Sequence, residues 1–249
     1  MVVPGQNSQA LLPWKDVIKP ELSLAEPMFL RLAPEQFKRQ VPRLITSLQS
    51  AAKKTPKIYE CELPSIVLAM AQAASIGIIP NSPCKHADWI PRGGKLNFEL
   101  RYNGMIELAQ RTSRVSNVRG VVVYKGDEFI LEEGTDPRIV HRPNLLVERA
   151  DEDIIGVYGV IKFRDGSTKF RFMNRAEVLK RKAVSKGSDD PSSPWQKWCR
   201  EMCEKTGVKY VLANDSLSDD DDSDRLGRAI AHDNGDPIDV PGYEVPESA

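Results

Sequence analysis

The sequence predicts an α+β fold, with a mostly antiparallel sheet of hairpins flanked by helices and an acidic C-terminal tail that stays disordered. Three observations carry this. Apolar residues recur at helical spacing up to Ile76 and again after Asn174. Between Ala87 and Met173 they alternate instead, in runs separated by turn dipeptides. From Ser218 the chain reads Ser-Asp-Asp-Asp-Asp-Ser-Asp, a run without apolar residues to bury. Helices, then hairpin-linked strands, then helices is the order of an α+β chain.

The elements follow in sequence. Residues 1–25 mix Pro, Gly, Gln and Asn with little periodicity and are expected to form a flexible arm. Pro34 and Pro42 each stand where a helix can start, and Leu44, Leu48 and Ala51 share a face of the second. Pro64 opens a clearer helix, with Ile66, Val67, Met70 and Ala74 on one stripe and Gly77 placed to end it. Strands are expected over 87–91 and 95–100, around Arg92-Gly93-Gly94, and a helix over 102–112. Val115, Val121, Val123, Phe129 and Leu131 mark further strands. Asp165-Gly166 joins a hairpin of 154–164 with 168–173. Asn174 with Glu177, and Ser193 with Gln196, form capping-box patterns that open helices over 175–184 and 194–212. The expected organisation is thus an arm over 1–25, a core over 26–212 and an acidic tail over 213–249.

Composition narrows the function. With 41% hydrophobic and 28% charged residues the chain can bury a core and stay in solution. No apolar run approaches a membrane helix and the N-terminus lacks a signal-peptide pattern, so a cytoplasmic location and no membrane partner are expected. The net charge of zero hides a split. From Ala213 onward there are eleven Asp and Glu against two Arg, while the first 212 residues hold 33 Lys and Arg against 24 Asp and Glu. A basic body with an acidic tail points to a polyanionic partner, with the tail as solubiliser or competitor.

Catalytic signatures are missing. There is no G-x-x-x-x-G-K-[ST], H-E-x-x-H or G-x-S-x-G, so no enzyme is expected. The spacing of Cys84 to His86 and of Cys199 to Cys203 departs from that of zinc knuckles, and no metal site is expected. No cofactor is expected either, magnesium serving at most to modulate binding to a polyanion.

Binding signatures are richer. Lys197, Glu201, Lys205 and Lys209 follow one i+4 row, with Arg200 beside it. Such a row can be a solvated face, or it can track a phosphate backbone, each lysine releasing a counterion. Lys162 and Arg164 share a face of one strand, Lys169 and Arg171 a face of the next. Whether these two pairs meet depends on register. If they do, a basic sheet face stands beside a basic helix, as an electrostatic groove requires. Tyr102 and Trp198 are the aromatic residues retained for base stacking.

Several segments resemble a known family. Arg101-Tyr102-Asn103-Gly104-Met105-Ile106-Glu107-Leu108-Ala109 is similar to the "YKGLIELA" segment of RecT-type phage recombinases. Gly77-Ile78-Ile79-Pro80 and Trp89-Ile90-Pro91 precede it, where that family has "GL-x-P" and "VPY". Val123-Tyr124-Lys125-Gly126-Asp127-Glu128-Phe129 resembles its "VYEGDEF", and Gly134 with His141-Arg142-Pro143 its "G…I-x-H-x-P". Trp195, Met202 and Lys205-Thr206 resemble its "W…M-x-x-KT". The resemblance runs over about residues 30–212. Asn103 stands where the family has lysine, and Gly207-Val208-Lys209 replaces a more basic stretch.

The resemblance implies ATP-independent binding of single-stranded DNA and annealing of complementary strands in homologous recombination, by a ring or helical filament of identical subunits. Single-stranded DNA and the annealed duplex intermediate are the implied ligands. A host single-stranded-DNA-binding protein reached through 213–249 and a partner exonuclease are further implied partners. The alternatives are a passive single-strand coating protein and a metal-dependent nuclease. The expected DNA contacts are Arg101, Tyr102, Asn103, Lys162, Arg164, Lys169, Arg171, Lys197, Trp198, Arg200, Lys205 and Lys209.

Overall fold

The computed structural model describes residues 14–185, 187–215 and 220–233, with side chains from Leu22 onward. They form two compact units that divide between Arg101 and Tyr102.

The first unit opens with α1 (Trp14–Leu32), followed by α2 (Val41–Lys54) and α3 (Leu63–Ile76). Helix α1 corrects the flexible arm expected over 1–25. Pro20 and Pro27 lie inside it, and residues of that type read as helix breakers in the sequence. What holds the helix is burial: Leu22 and Phe29, seven positions apart, are fully enclosed. The part of the expected arm before Trp14 lies outside the described residues. In α2 the expected stripe of Leu44, Leu48 and Ala51 is buried. Gly77 ends α3 in the left-handed conformation, with φ 76°, that glycine adopts without strain.

The hairpin of β1 (Ala87–Arg92) and β2 (Lys95–Leu100) turns through Gly93 and Gly94, both with positive φ, as the sequence predicts. Leu96, Phe98 and Leu100 face the core. Trp89 donates its indole N–H to Ser47 Oγ at 3.0 Å, and Ser47 donates to the Pro80 carbonyl. The segments 77–80 and 89–91 therefore brace the hairpin against α2.

The second unit runs α4 (Tyr102–Arg111), β3 (Val115–Tyr124), β4 (Glu128–Glu132), β5 (Arg138–Arg142), β6 (Ile154–Phe163), β7 (Thr168–Asn174), α5 (Arg175–Ala183), α6 (Pro194–Lys197), α7 (Cys199–Asn214) and α8 (Asp221–Asp233). All described strand pairs are antiparallel: β3-β6-β7 is one sheet, and β4-β5 a separate hairpin. Asn174 and Glu177 form the expected capping box of α5.

One expectation fails here and a second is narrowed. The helix expected over 194–212 is broken at Trp198, whose φ of −140° and ψ of 48° lie outside the helical region. The residues buried on α7 are Cys203, Gly207, Val208, Val211 and Leu212, while Cys199, Met202 and Thr206 are only half-buried. The second concerns the tail. A helix, α8, forms within it and packs against α4, burying Leu226, Ala229 and Ile230. These few apolar residues, spaced at i, i+3 and i+4, outweigh the acidic composition that pointed to disorder. Residues 216–219 and 234–249 of the expected tail lie outside the described residues.

Helix α7 covers one face of the β3-β6-β7 sheet, and three glycines set its depth. A Cβ on Gly159 would fall 2.2 Å from the Gly207 carbonyl oxygen, and one on Gly120 would fall 2.1 Å from that of Glu204. The opposite sheet face is partly covered by the β4-β5 hairpin, where Phe129 packs on Tyr158 and Phe172. A buried polar cluster fastens this hairpin. The fully enclosed Asp127 carboxylate accepts from the Tyr124 and Asn144 backbone N–H groups, from Arg149 at 2.6 Å and pairs with His141 at 3.0 Å. The other His141 ring nitrogen meets the Tyr158 hydroxyl at 3.2 Å. Burial by itself would raise the Asp127 pKa. The hydrogen bonds and the Arg149 charge outweigh it and hold the carboxyl at about 2, against an ordinary 3.8.

Two stability predictions follow from these contacts. Gly159→Ala should lower the unfolding free energy by about 3 kcal/mol through overpacking, whereas Gly227→Ala, exposed on α8 with open space around it, should raise stability by about 0.5 kcal/mol. Urea unfolding of both variants checks the contrast. Because the folded pKa of Asp127 is depressed, its stabilising contribution is complete above the unfolded value and lost as pH falls toward 2. The loss between pH 4 and 2 should approach about 2 kcal/mol in urea titrations, and Asp127→Asn should flatten that limb of the profile while weakening the fold at neutral pH.

Candidate nucleic-acid interface

The register of β6 and β7 answers the question left open by parity. Lys162 pairs with Thr168, Ile161 with Lys169 and Gly159 with Arg171. Partners across an antiparallel pair share a face. Lys162 therefore lies on the face opposite to Lys169 and Arg171, and the single basic face does not form. Arg164 lies past the end of β6, where its backbone N–H bonds the Arg114 carbonyl.

The Lys162 face has another cation. Arg119 pairs with Val160 and Asn117 with Lys162, so Arg119 and Lys162 share this face. Both are exposed, with half-buried Val160 and Phe170 between and beside them. The β4-β5 hairpin covers the other end of this face, at Tyr158 and Phe172. What remains is a basic strip with an aromatic side chain, the combination that holds a strand by phosphate and base. Arg119 stands 43 positions before Lys162 in the chain, and only the register brings the two together.

The opposite face carries its cations at the β7 edge. Lys169 and Arg171, each about half exposed, converge on Asp215, the C-cap residue of α7. Arg171 approaches both carboxylate oxygens, at 3.2 and 3.4 Å, and the Asn214 carbonyl at 3.3 Å. Phe163 lies under Lys169 and Arg114 at 5.9 and 5.4 Å. Tyr210 of α7 lies under Arg181 at 5.0 Å.

The i+4 lysine row is shortened by the break at Trp198. Lys197 stays exposed on α6, Lys205 and Lys209 both bond Asp233 at the end of α8, and Arg200 pairs with Glu204 on its own helix. Trp198 is 60% exposed at the break, which leaves its ring open to stacking. Tyr102 and Asn103 are half-buried in the first turn of α4. Arg101 belongs to the first unit and pairs there with Asp88.

The expected residues thus separate into places: the β3-β6 strip with Lys162, the β7 edge with Lys169 and Arg171, and the flank of α7 with Lys205 and Lys209. Among the described residues no three His, Cys, Asp or Glu side chains converge as metal ligands would. Burial, with the neighbouring Cys199, pushes the Cys203 thiol up to about 12, which keeps it protonated and unreactive. No helix among the described residues is long and apolar enough to cross a membrane.

Comparison with known proteins places this architecture. The RecT family model matches residues 42–237, from α2 through α8. Protein RecT of Escherichia coli (strain K12) is 31% identical over 206 residues, covering 80% of this chain and 73% of that protein. The uncharacterized protein YqaK of Bacillus subtilis (strain 168) is 22% identical over 191 residues, 76% of this chain and 64% of that protein. With its fold, its separate basic surfaces and a match over most of its length, the chain belongs to the RecT family of strand-annealing DNA recombination proteins.

Proposed function

We propose that the protein binds single-stranded DNA through its phosphates and anneals complementary strands without ATP, as a ring or filament of identical subunits. The observation that carries this reading is the family match over residues 42–237. The physical logic agrees with it. Neutralising phosphates removes repulsion between two strands and releases counterions, and holding one strand extended prepays its ordering entropy. Recognition through the backbone leaves sequence preference slight. The sequence has no phosphate-cradling loop to bind a nucleotide triphosphate.

The contact proposed first is the strip of Arg119, Lys162 and Phe170, because it is exposed and joins cations to an aromatic ring. Trp198 and Lys197 at the α6–α7 break form a second contact. Tyr102 and Asn103 at the start of α4, and, separately, Arg101, Arg164 and Arg200, are supporting contacts. A host single-stranded-DNA-binding protein, reached through residues 213–249, and an exonuclease are the proposed protein partners. Magnesium acts only as a competing counterion, and the protein acts in the cytoplasm.

Two complementary fluorescent oligonucleotides test the reading. Wild type should accelerate their pairing without ATP, and more weakly as salt rises. Arg119→Ala/Lys162→Ala should bind about tenfold more weakly at low salt and flatten the salt dependence by about 0.7 log units per lost phosphate contact. Binding without acceleration would instead make this a passive coating protein, and digestion of the labelled strand in magnesium would make it a nuclease.

A further inference from the structure

The cations at the β7 edge and on the α7 flank share an arrangement that their separate positions obscure. In each, two cations converge on one aspartate from the segment after Leu212. Lys169 and Arg171 hold Asp215, while Lys205 and Lys209 hold Asp233 at 3.4 and 2.6 Å. Lys209 also donates to the Asp233 backbone carbonyl, at 3.2 Å.

Both aspartates stand where a helix disfavours them. Asp215 caps the C-terminus of α7, and Asp233 is the last residue of α8. The negative end of a helix dipole repels a carboxylate, so the adjacent cations supply the compensation. Arg171 presents its guanidinium fork to Asp215 much as it would to a phosphate, because carboxylate and phosphodiester offer the same pair of acceptor oxygens. A cleft of about 350 Å³ adjoins this pair, lined by Thr168, Lys169, Arg171, Tyr210, Asp215 and Glu133. It opens to solvent beside an edge strand, where an extended chain has access.

We propose that these two sites are phosphodiester subsites, with Asp215 and Asp233 as built-in surrogates that an incoming strand displaces. The inference rests on the reading of the protein as a single-strand binder and adds the means by which its affinity is restrained. Lys169 and Arg171 are half exposed, Lys205 and Lys209 partly buried, and both aspartates mostly covered, so a strand displaces them only by bringing several phosphates at once and releasing their counterions. A single stray phosphate does not. Glu133, exposed at the rim of the cleft, adds to the barrier against isolated anions. The restraint makes binding favour long strands that fill several subsites together over short fragments.

Fluorescence anisotropy with a labelled oligothymidylate tests this, using full-length wild type, Asp215→Asn, Asp233→Asn and the double variant. Each single variant should bind about threefold tighter and the double about tenfold tighter, the two sites acting independently. The salt dependence should steepen, because no freed carboxylate takes up a counterion. The gain from Asp215→Asn should vanish when Lys169 and Arg171 are both changed to Gln. That from Asp233→Asn should vanish when Lys205 and Lys209 are. Unchanged or weaker binding by folded variants overturns the proposal and leaves the aspartates as structural staples. If wild type shows no salt-sensitive binding, the single-strand reading itself falls, and this inference with it. Hydrogen exchange on wild type supplies a readout independent of the variants: saturating oligothymidylate should speed exchange at the C-terminal end of α8, and slower or unaltered exchange there overturns the Asp233 subsite.

Discussion

Helix α7 meets the β3-β6 pair through backbone, because Gly120, Gly159 and Gly207 place no Cβ between the two layers. The carbonyls of Glu204 and Gly207 lie almost on the strands. A helix-interior glycine costs roughly 1 kcal/mol against alanine, and strand glycines are similarly unfavourable, so this contact has to recover more than it loses. It does so by letting Val211 pack against Gly159 and Val157 against Gly207, all four of Val157, Ile161, Val208 and Val211 being buried. The depth of α7 then decides much else. It puts Tyr210 and Asp215 beside the edge strand β7, and Lys205 and Lys209 within reach of α8. A bulkier residue at any of the three glycines would displace every cation that depends on this helix.

The buried Asp127 cluster plays the matching role on the other face. Its hydrogen bonds come from β3, β5 and the following loop, so one carboxylate joins the β4-β5 hairpin to the sheet. Much of the family resemblance falls on such joints. Asp127, His141, Gly77 and Trp89 all stand in the matching motifs, and each braces the fold instead of facing a ligand. A short motif can therefore identify a family through its architecture while saying little about where its ligand lies.

A net charge of zero means something different once the pairs are visible. The acidic residues after Leu212 do not simply offset the basic body. Asp215 and Asp233 are held on named cations of it, and Asp220 bonds Ser113 at the end of α4. Exposed cations remain on the β3-β6 strip and at the α6–α7 break, where Arg119, Lys162 and Lys197 face solvent. The protein thus presents some cations openly and keeps others engaged by its own carboxylates. Such a surface discriminates between ligands by the number of charges they bring.

The amino-acid sequence by itself determined the α+β class, the hairpins at Gly93-Gly94 and Asp165-Gly166, the capping box at Asn174 and the family. These are local signals: positive-φ turns, side-chain caps and alternating burial are written in neighbouring residues. It did not reveal α1, because Pro20 and Pro27 read as breakers until Leu22 and Phe29 find a core. Nor did it reveal α8, where three buried apolar residues are diluted among aspartates. The candidate interface was legible as residue types and illegible as a surface. Lys162 and Lys169 sit seven positions apart, yet the hairpin register puts them on opposite faces and gives Arg119 to Lys162 as its neighbour. Register, helix depth and ion pairing join residues distant in the chain, so only the tertiary structure could decide them.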